Sequence, residues 1–205
     1  MSAVTIHKFG GAALADAAAI RRAASLLTPA GPARRQVVVV SALAGVTDAL
    51  LGAFRVAAGT PAQQVAASIA QVTDRHRRIV DELIAGAEAA ALHAVIDDVA
   101  DELASLAAFM RVSGGNTERE ADLAASRGER LAAHIFAAAL AQQGGRASYV
   151  DACRVIATDG RFGHATPDLE ETTRRTCAIL RPLITAGTVP VVPGFIGSGR
   201  QGEVV

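Results

Sequence analysis

Lys8 ends an apolar segment, Val4-Thr5-Ile6-His7-Lys8-Phe9, and Gly10 and Gly11 follow at once. Strand, Gly-Gly turn and helix together form a physical recipe for holding phosphate. Glycines let the backbone come close to an anion, and the next helix presents free N–H groups and the positive end of its dipole. The lysine aims a full charge at the same place. A plain tight turn has the same local look, so other stretches must supply support. Glu129 is a second chemical candidate, within Ser126-Arg127-Gly128-Glu129-Arg130 and inside a run with helical spacing. Glycine inside a helix costs about 1 kcal/mol relative to alanine. Its presence is explained if something approaches the backbone there, with Glu129 beside it. On spacing alone, Glu129 is equally well a surface carboxylate.

These residues need a frame. Val4 to Phe9 reads as the first strand, and Ala12 to Leu27 as an alanine-rich helix capped by Asp16 and ended by Pro29, Gly31 and Pro32. Val37-Val38-Val39-Val40 has the continuous β-branched character of a strand buried on both faces of a parallel sheet. Ser41 to Asp48 follows directly. Gly45 can turn the chain there, and Thr47 or Asp48 can cap the helix that carries Leu50, Leu51 and Phe54. Both loops leave the same edge of an open α/β sheet, where ligands bind at the carboxyl ends of strands, so the two should meet at one site.

A helical insertion covers about residues 60–112 and is divided at Gly86 into two apolar-patterned halves. Asp74-Arg75-His76-Arg77-Arg78 reads as a solvated face, and His76 and His93 as surface or boundary histidines. Ser113-Gly114-Gly115-Asn116 is a connector. Thr117 to Gln143 is helical, broken or adjusted at Gly128 and stopped at Gly144-Gly145. Ala147–Val150 and Arg154–Thr158 read as short strands. Pro167 and Asp168 open a helix that runs to Ala186, and Val189–Val192 is the last core strand. A third glycine-rich strand-end loop, Pro193 to Arg200, has no helix after it, which argues against a dinucleotide fingerprint.

Composition narrows the classes. With 205 residues, 51% of them hydrophobic, the chain can bury one sizeable core or a large and a small lobe. Twenty basic and 20 acidic residues balance, and aromatics are only 3%, so no nucleic-acid partner is expected. Cys153 and Cys177 match no metal or disulfide spacing and read as buried free thiols. No apolar run approaches the ~20 residues of a membrane span. The expectation is a soluble, cytoplasmic protein with no membrane partner.

Five stretches, in order and nearly end to end, resemble the kinase domain of aspartokinases, in particular that of the aspartokinase–homoserine dehydrogenase type. They are Lys8-Phe9-Gly10-Gly11, Val39-Val40-Ser41-Ala42-Leu43-Ala44-Gly45-Val46-Thr47, Arg127-Gly128-Glu129-Arg130, Thr158-Asp159 with Phe162-Gly163-His164-Ala165, and Gly194-Phe195-Ile196-Gly197. The resemblance implies a three-layer α/β/α sandwich around a mainly parallel sheet. It also implies transfer of the ATP γ-phosphate to the β-carboxylate of L-aspartate, the first step toward lysine, threonine, methionine and isoleucine. ATP with Mg²⁺ would be the cofactor, and a homo-oligomer the assembly. Lys8 would be the catalytic contact to the transferring phosphate, with Gly10 and Gly11 bringing N–H groups to it. Ser41 and Thr47 would hold aspartate, and Glu129 would pair with its α-amino group.

Two departures accompany the resemblance. The family follows the two glycines with Thr-Ser, where this chain has Ala12 and Ala13. The family's Thr-Thr-Leu-Gly-Arg-Gly-Gly-Ser-Asp-like motif and its nucleotide-binding half would come after Val205. Residues 1–205 thus correspond to the amino-acid lobe, about the first two-thirds of a kinase domain, without the regulatory domains. By this expectation the chain alone lacks kinase activity, and its final hairpin leaves an unfinished sheet edge that invites pairing. Two other readings stand beside it: a non-catalytic aspartate-binding or assembly subunit, and another amino-acid kinase such as one acting on acetylglutamate. The Ser41–Thr47 loop with Arg127-Gly128-Glu129 favours aspartate over the latter.

Overall fold

The computed structural model describes residues 3–27, 35–55, 61–114 and 118–205. The expected helix stop at Pro29, Gly31 and Pro32, and Gly115 to Thr117 of the connector and helix start, lie outside the described residues. Four parallel strands form one sheet in the order β1-β2-β4-β3: β1 Val4–Phe9, β2 Arg35–Val40, β3 Ala147–Tyr149 and β4 Val189–Pro193. The register pairs Lys8 with Val39 and Phe9 with Val40, so the first two strands end side by side.

Helices cover both faces. α1 (Ala17–Ser25) and α5 (Glu118–Gln142) lie on one face with Val38, Val40 and Val191, and α2 (Val46–Arg55) packs against them. α6 (Leu169–Thr185) lies on the other face, where Val37, Val192, Val155 and Leu180 make a second, smaller core. Alternate residues of β2 therefore serve opposite faces, as its unbroken valine run requires. The result is the three-layer α/β/α arrangement. α5 can lie close beneath the sheet because its buried side is mostly alanine, with Leu131, Ile135 and Phe136 as the larger fillers.

Caps and turns are set locally. Asp16 accepts from the Ala19 N–H at 2.7 Å and starts α1; between it and β1 the chain makes a 3-10 turn, Gly11–Leu14. Asp168 accepts from the Glu171 N–H and starts α6. The insertion is an antiparallel pair, α3 (Ala62–Leu83) and α4 (Ala87–Ser113), joined at Gly86, whose φ of 71° is left-handed.

Several expectations are corrected. α2 begins at Val46, so Thr47 and Asp48 stand inside its first turn and do not precede it. α5 runs through Gly128 unbroken. Arg154–Thr158 is not a strand: Ala152–Arg154 is a 3-10 turn, and Ala157 and Thr158 each make one isolated bridge, to Ser198 and Pro167. The 74–78 run is not a solvated face throughout. His76 lies four residues after Val72 and three before Ile79, on the apolar stripe of α3 itself, and is fully buried. Cys177 is exposed and Cys153 half-buried. The last hairpin lies outside the four-stranded sheet: Ser198 bridges Ala157 and Val204, β4 lies inside the sheet, and the sheet's edges among the described residues are β1 and β3.

Candidate active site

Three neighbouring strands, β1, β2 and β4, release their loops at the same end of the sheet. The Ser41 N–H donates to the Phe9 carbonyl at 3.0 Å, and the Gly194 N–H donates to the Val40 carbonyl at 2.7 Å, which ties the three exits together. Gly11 shows why a side chain is excluded. A Cβ there would stand 3.1 Å from the Ala42 carbonyl oxygen and 3.2 Å from the Ala44 Cα. The first loop therefore lies backbone to backbone against the second. Gly10 faces open space, which leaves its backbone approachable.

α5 brings the carboxylate. A Cβ on Gly128 would stand 2.7 Å from Val46 Cγ1 and 3.3 Å from the Ala42 Cβ. The glycine lets α5 meet the second loop and the start of α2 at close range, and the next residue, Glu129, is carried underneath. Glu129 is 5% exposed. Its Oε1 accepts from the Ser41 hydroxyl at 3.3 Å, while Oε2 is buried without a hydrogen-bond partner. Burial pushes the Glu129 carboxyl above its ordinary range; the Ala42 N–H, the Ser41 hydroxyl and the Lys8 charge pull the other way and only partly offset it.

Ser41, Thr47, Asp122, Ser126, Glu129 and Phe195 line one cleft of about 230 Å³. Lys8 lies against one of these residues, with Nζ 4.7 Å from the centre of the Phe195 ring, and its charge is felt by Glu129. Gly10 and Gly11 lie behind Lys8 on the first loop and do not line the cleft. The structure thus gathers Ser41, Thr47 and Glu129, sets Lys8 near them, and keeps the glycines on the loop that follows the Lys8 strand. Asp122, Ser126 and Phe195 are lining residues to which sequence reasoning gave no role. Asp122 and Ser126 had a usable signal, since they lie seven and three residues before Glu129 on one helix face. Phe195 had only its place in the glycine-rich Gly194–Gly197 stretch; it is the one non-glycine described residue with positive φ (53°), and it is 79% exposed. Such an outlier marks a place where the surroundings hold the backbone in a costly conformation.

Chemically, the cleft offers a buried acceptor with one free oxygen, a second carboxylate in Asp122, three hydroxyls and, against Phe195, the Lys8 cation. That set suits a small zwitterion whose ammonium meets Glu129 and whose acidic end faces Lys8. Among the described residues no group of three or more His, Cys, Asp or Glu side chains could hold a metal ion. No described helix is long and apolar enough to cross a membrane.

Residues 3–205 match the sequence model of the amino acid kinase family. The chain belongs to that family. Among curated proteins, this amino acid kinase chain is 28% identical to lysine-sensitive aspartokinase 3 of Escherichia coli (strain K12), over 99% of its own length and 43% of that protein's. It is 26% identical to the chloroplastic bifunctional aspartokinase/homoserine dehydrogenase 1 of Arabidopsis thaliana, over 96% of this chain and 21% of that one. Among solved structures it superposes on E. coli aspartokinase III in complex with aspartate and ADP (R-state) with a TM-score of 0.86 at 25% identity, covering 99% of this chain and 43% of that one. The same enzyme with lysine and aspartate (T-state) gives 0.85 at 26% identity. The fold is that of the aspartokinase structures. The chain spans less than half the length of these relatives.

Proposed function

We propose that this chain carries the amino-acid side of an aspartate kinase, and that L-aspartate is its ligand. The observation that supports it is the buried Glu129 carboxylate with an unpartnered Oε2, set in one cleft with Ser41 and Thr47 and near Lys8. In this reading the α-ammonium of aspartate completes Glu129, and the hydroxyls of Ser41 and Thr47 orient the substrate. Lys8, at the end of β1 just before Gly10 and Gly11, neutralises charge at the phosphate end. ATP supplies the γ-phosphoryl group. The aspartate β-carboxylate is already ionised at neutral pH, so no residue has to act as a general base; positioning and charge neutralisation carry the rate. The residues fit the phosphate end of a nucleotide, through an open Gly10 backbone and a lysine at the strand end. No described residue is assigned to Mg²⁺ or to adenine. A place in lysine, threonine, methionine and isoleucine synthesis, a cytoplasmic location and a homo-oligomeric assembly go with this reading, as does the assignment of residues 1–205 to the amino-acid lobe of a kinase domain.

Calorimetry with L-aspartate at millimolar concentration tests it. Wild type should bind, and Glu129→Ala should bind at least about tenfold more weakly, the loss of one charge-assisted pair. Equal heats from both proteins would remove Glu129 from the site. N-acetyl-L-glutamate has no ammonium to offer Glu129 and should not bind; if it outcompetes aspartate, the acetylglutamate kinase reading replaces this one. Binding should also weaken on acidification at a higher pH than an ordinary glutamate would dictate, because the raised carboxyl protonates early and its neutral form holds no ammonium.

A further inference from the structure

Arg75 lies on α3, outside the cleft, and its guanidinium spans two loops. Nη1 donates to the Ala44 carbonyl at 2.6 Å and Nη2 to the Ala15 carbonyl at 2.7 Å. Ala15 closes the 3-10 turn that follows Gly10 and Gly11, and Ala44 lies between Ser41 and Thr47. The contact sits beside the place where Gly11 packs against Ala42 and Ala44. Two carbonyls near helix and turn ends, which local structure leaves short of partners, are thus satisfied by one planar guanidinium fork.

We infer that Arg75 is a positioning residue of the cleft: one side chain on the α3–α4 hairpin holds the first and second strand-end loops at a fixed separation. The inference rests on the reading above, in which the first loop serves phosphate and the second serves aspartate. Phosphoryl transfer needs donor and acceptor in near-attack geometry, where a displacement of about 1 Å can cost about a hundredfold in rate. Two charge-assisted bonds to the backbones of both loops fix that distance, and they connect the loops to a hairpin that contributes no residue to the cleft lining. A neighbour on the same helix, Arg77, ion-pairs with Asp74 and Asp97 at the surface and serves as the control.

The test compares wild type, Arg75→Ala, Arg75→Lys and Arg77→Ala, each held well below its own unfolding midpoint. The first readout is L-aspartate affinity. Arg75→Ala should lose about tenfold, the equivalent of one charge-assisted bond, and Arg77→Ala should lose nothing. Added methylguanidinium should restore much of the loss in Arg75→Ala and change nothing in Arg77→Ala, a rescue that general destabilisation would not show. Arg75→Lys keeps charge and bulk and so preserves the fold, but one ammonium does not replace a fork across two carbonyls; its affinity should fall about threefold. The second readout needs no ligand. The Ala13 and Val46 N–H groups close the two turns, onto the Gly10 and Leu43 carbonyls. Their hydrogen exchange should quicken about tenfold in Arg75→Ala and not in Arg77→Ala. Wild-type exchange at both amides in the Arg75 variants overturns the inference whatever aspartate does. Faster exchange with no aspartate binding by wild type leaves the clamp standing and overturns the functional reading alone.

Discussion

The cleft and the α3–α4 hairpin are built on opposite terms. The hairpin follows local rules: apolar residues recur at helical spacing, Leu92, Ile96, Val99 and Leu103 are buried in turn, and the ends are marked by Gly86 and Gly114. The cleft breaks them. A glycine sits in mid-helix at 128, a carboxylate is buried at 129 with an oxygen unpartnered, and Phe195 takes a left-handed backbone. Departures of this kind are expected where a protein holds chemistry in place of stability. Arg75 and His76 are where the two regions meet, and there the hairpin also departs from its pattern.

The contrast can be broken first by stability. Leu103→Ala should cost about 3–4 kcal/mol, a filled core position turned into a cavity. Measured below its midpoint, the variant should keep wild-type aspartate affinity. A matching loss of affinity would mean that the hairpin core and the cleft are not separable.

Protonation of His76, on the hairpin side, should act almost as strongly. His76 donates from Nδ1 to the Val72 carbonyl, and burial lowers its pKa from 6.5 to about 4. The unfolded chain then takes up a proton near 6.5 that the folded chain refuses. Stability is full above 6.5, falls as pH drops, and levels near 4, a change of about 3 kcal/mol. His134, stacked on Tyr149, is lowered by burial to about 4 as well and acts over the same window. Urea unfolding at a series of pH values should show the slope, and His76→Leu should remove only the His76 part. An unchanged slope in that variant would assign the whole effect elsewhere.

The smallest effects come from two helical glycines, and their signs should differ. Gly128→Ala gains about 1 kcal/mol of helix propensity but drives a methyl against Val46, so the net result should be destabilising by about 1 kcal/mol. Gly52→Ala in α2 meets nothing within 4 Å and should stabilise by about 0.5–1 kcal/mol. Chemical denaturation of the pair decides it; two gains would mean that α5 can step back from α2 at no cost.

What the sequence disclosed follows the same division. Features set by neighbours in sequence were legible: the valine run of β2, the caps at Asp16 and Asp168, the turn at Gly86. Features set across the fold were not. A mixed-charge run reads as solvent-facing, and only the packing of α3 onto α1 and α2 shows that Arg75 points at two carbonyls and that His76 is on the buried stripe. Thr158 has strand-like neighbours, yet its pairing is split between Ser198 and Pro167, so no strand forms. In the cleft, the gathering of Ser41, Thr47 and Glu129 could be expected from loops leaving one sheet edge, whereas Phe195 depends on a backbone angle that residue type does not announce.

The strand order has a consequence for how the molecule comes together. β4 is the latest of the four described strands in chain order, yet it lies between two earlier ones, pairing Val38 of β2 with Val191 and Tyr149 of β3 with the same residue. The α3–α4 hairpin joins neighbours and can form early, but the sheet must wait for a long chain closure before β2 and β3 are bridged. In that interval Val37 to Val40 is an uncharged β-branched run with an open edge, the kind of segment that pairs with other chains. Gly194 and Phe195 follow β4 directly, so the cleft takes its shape only once β4 has closed the sheet.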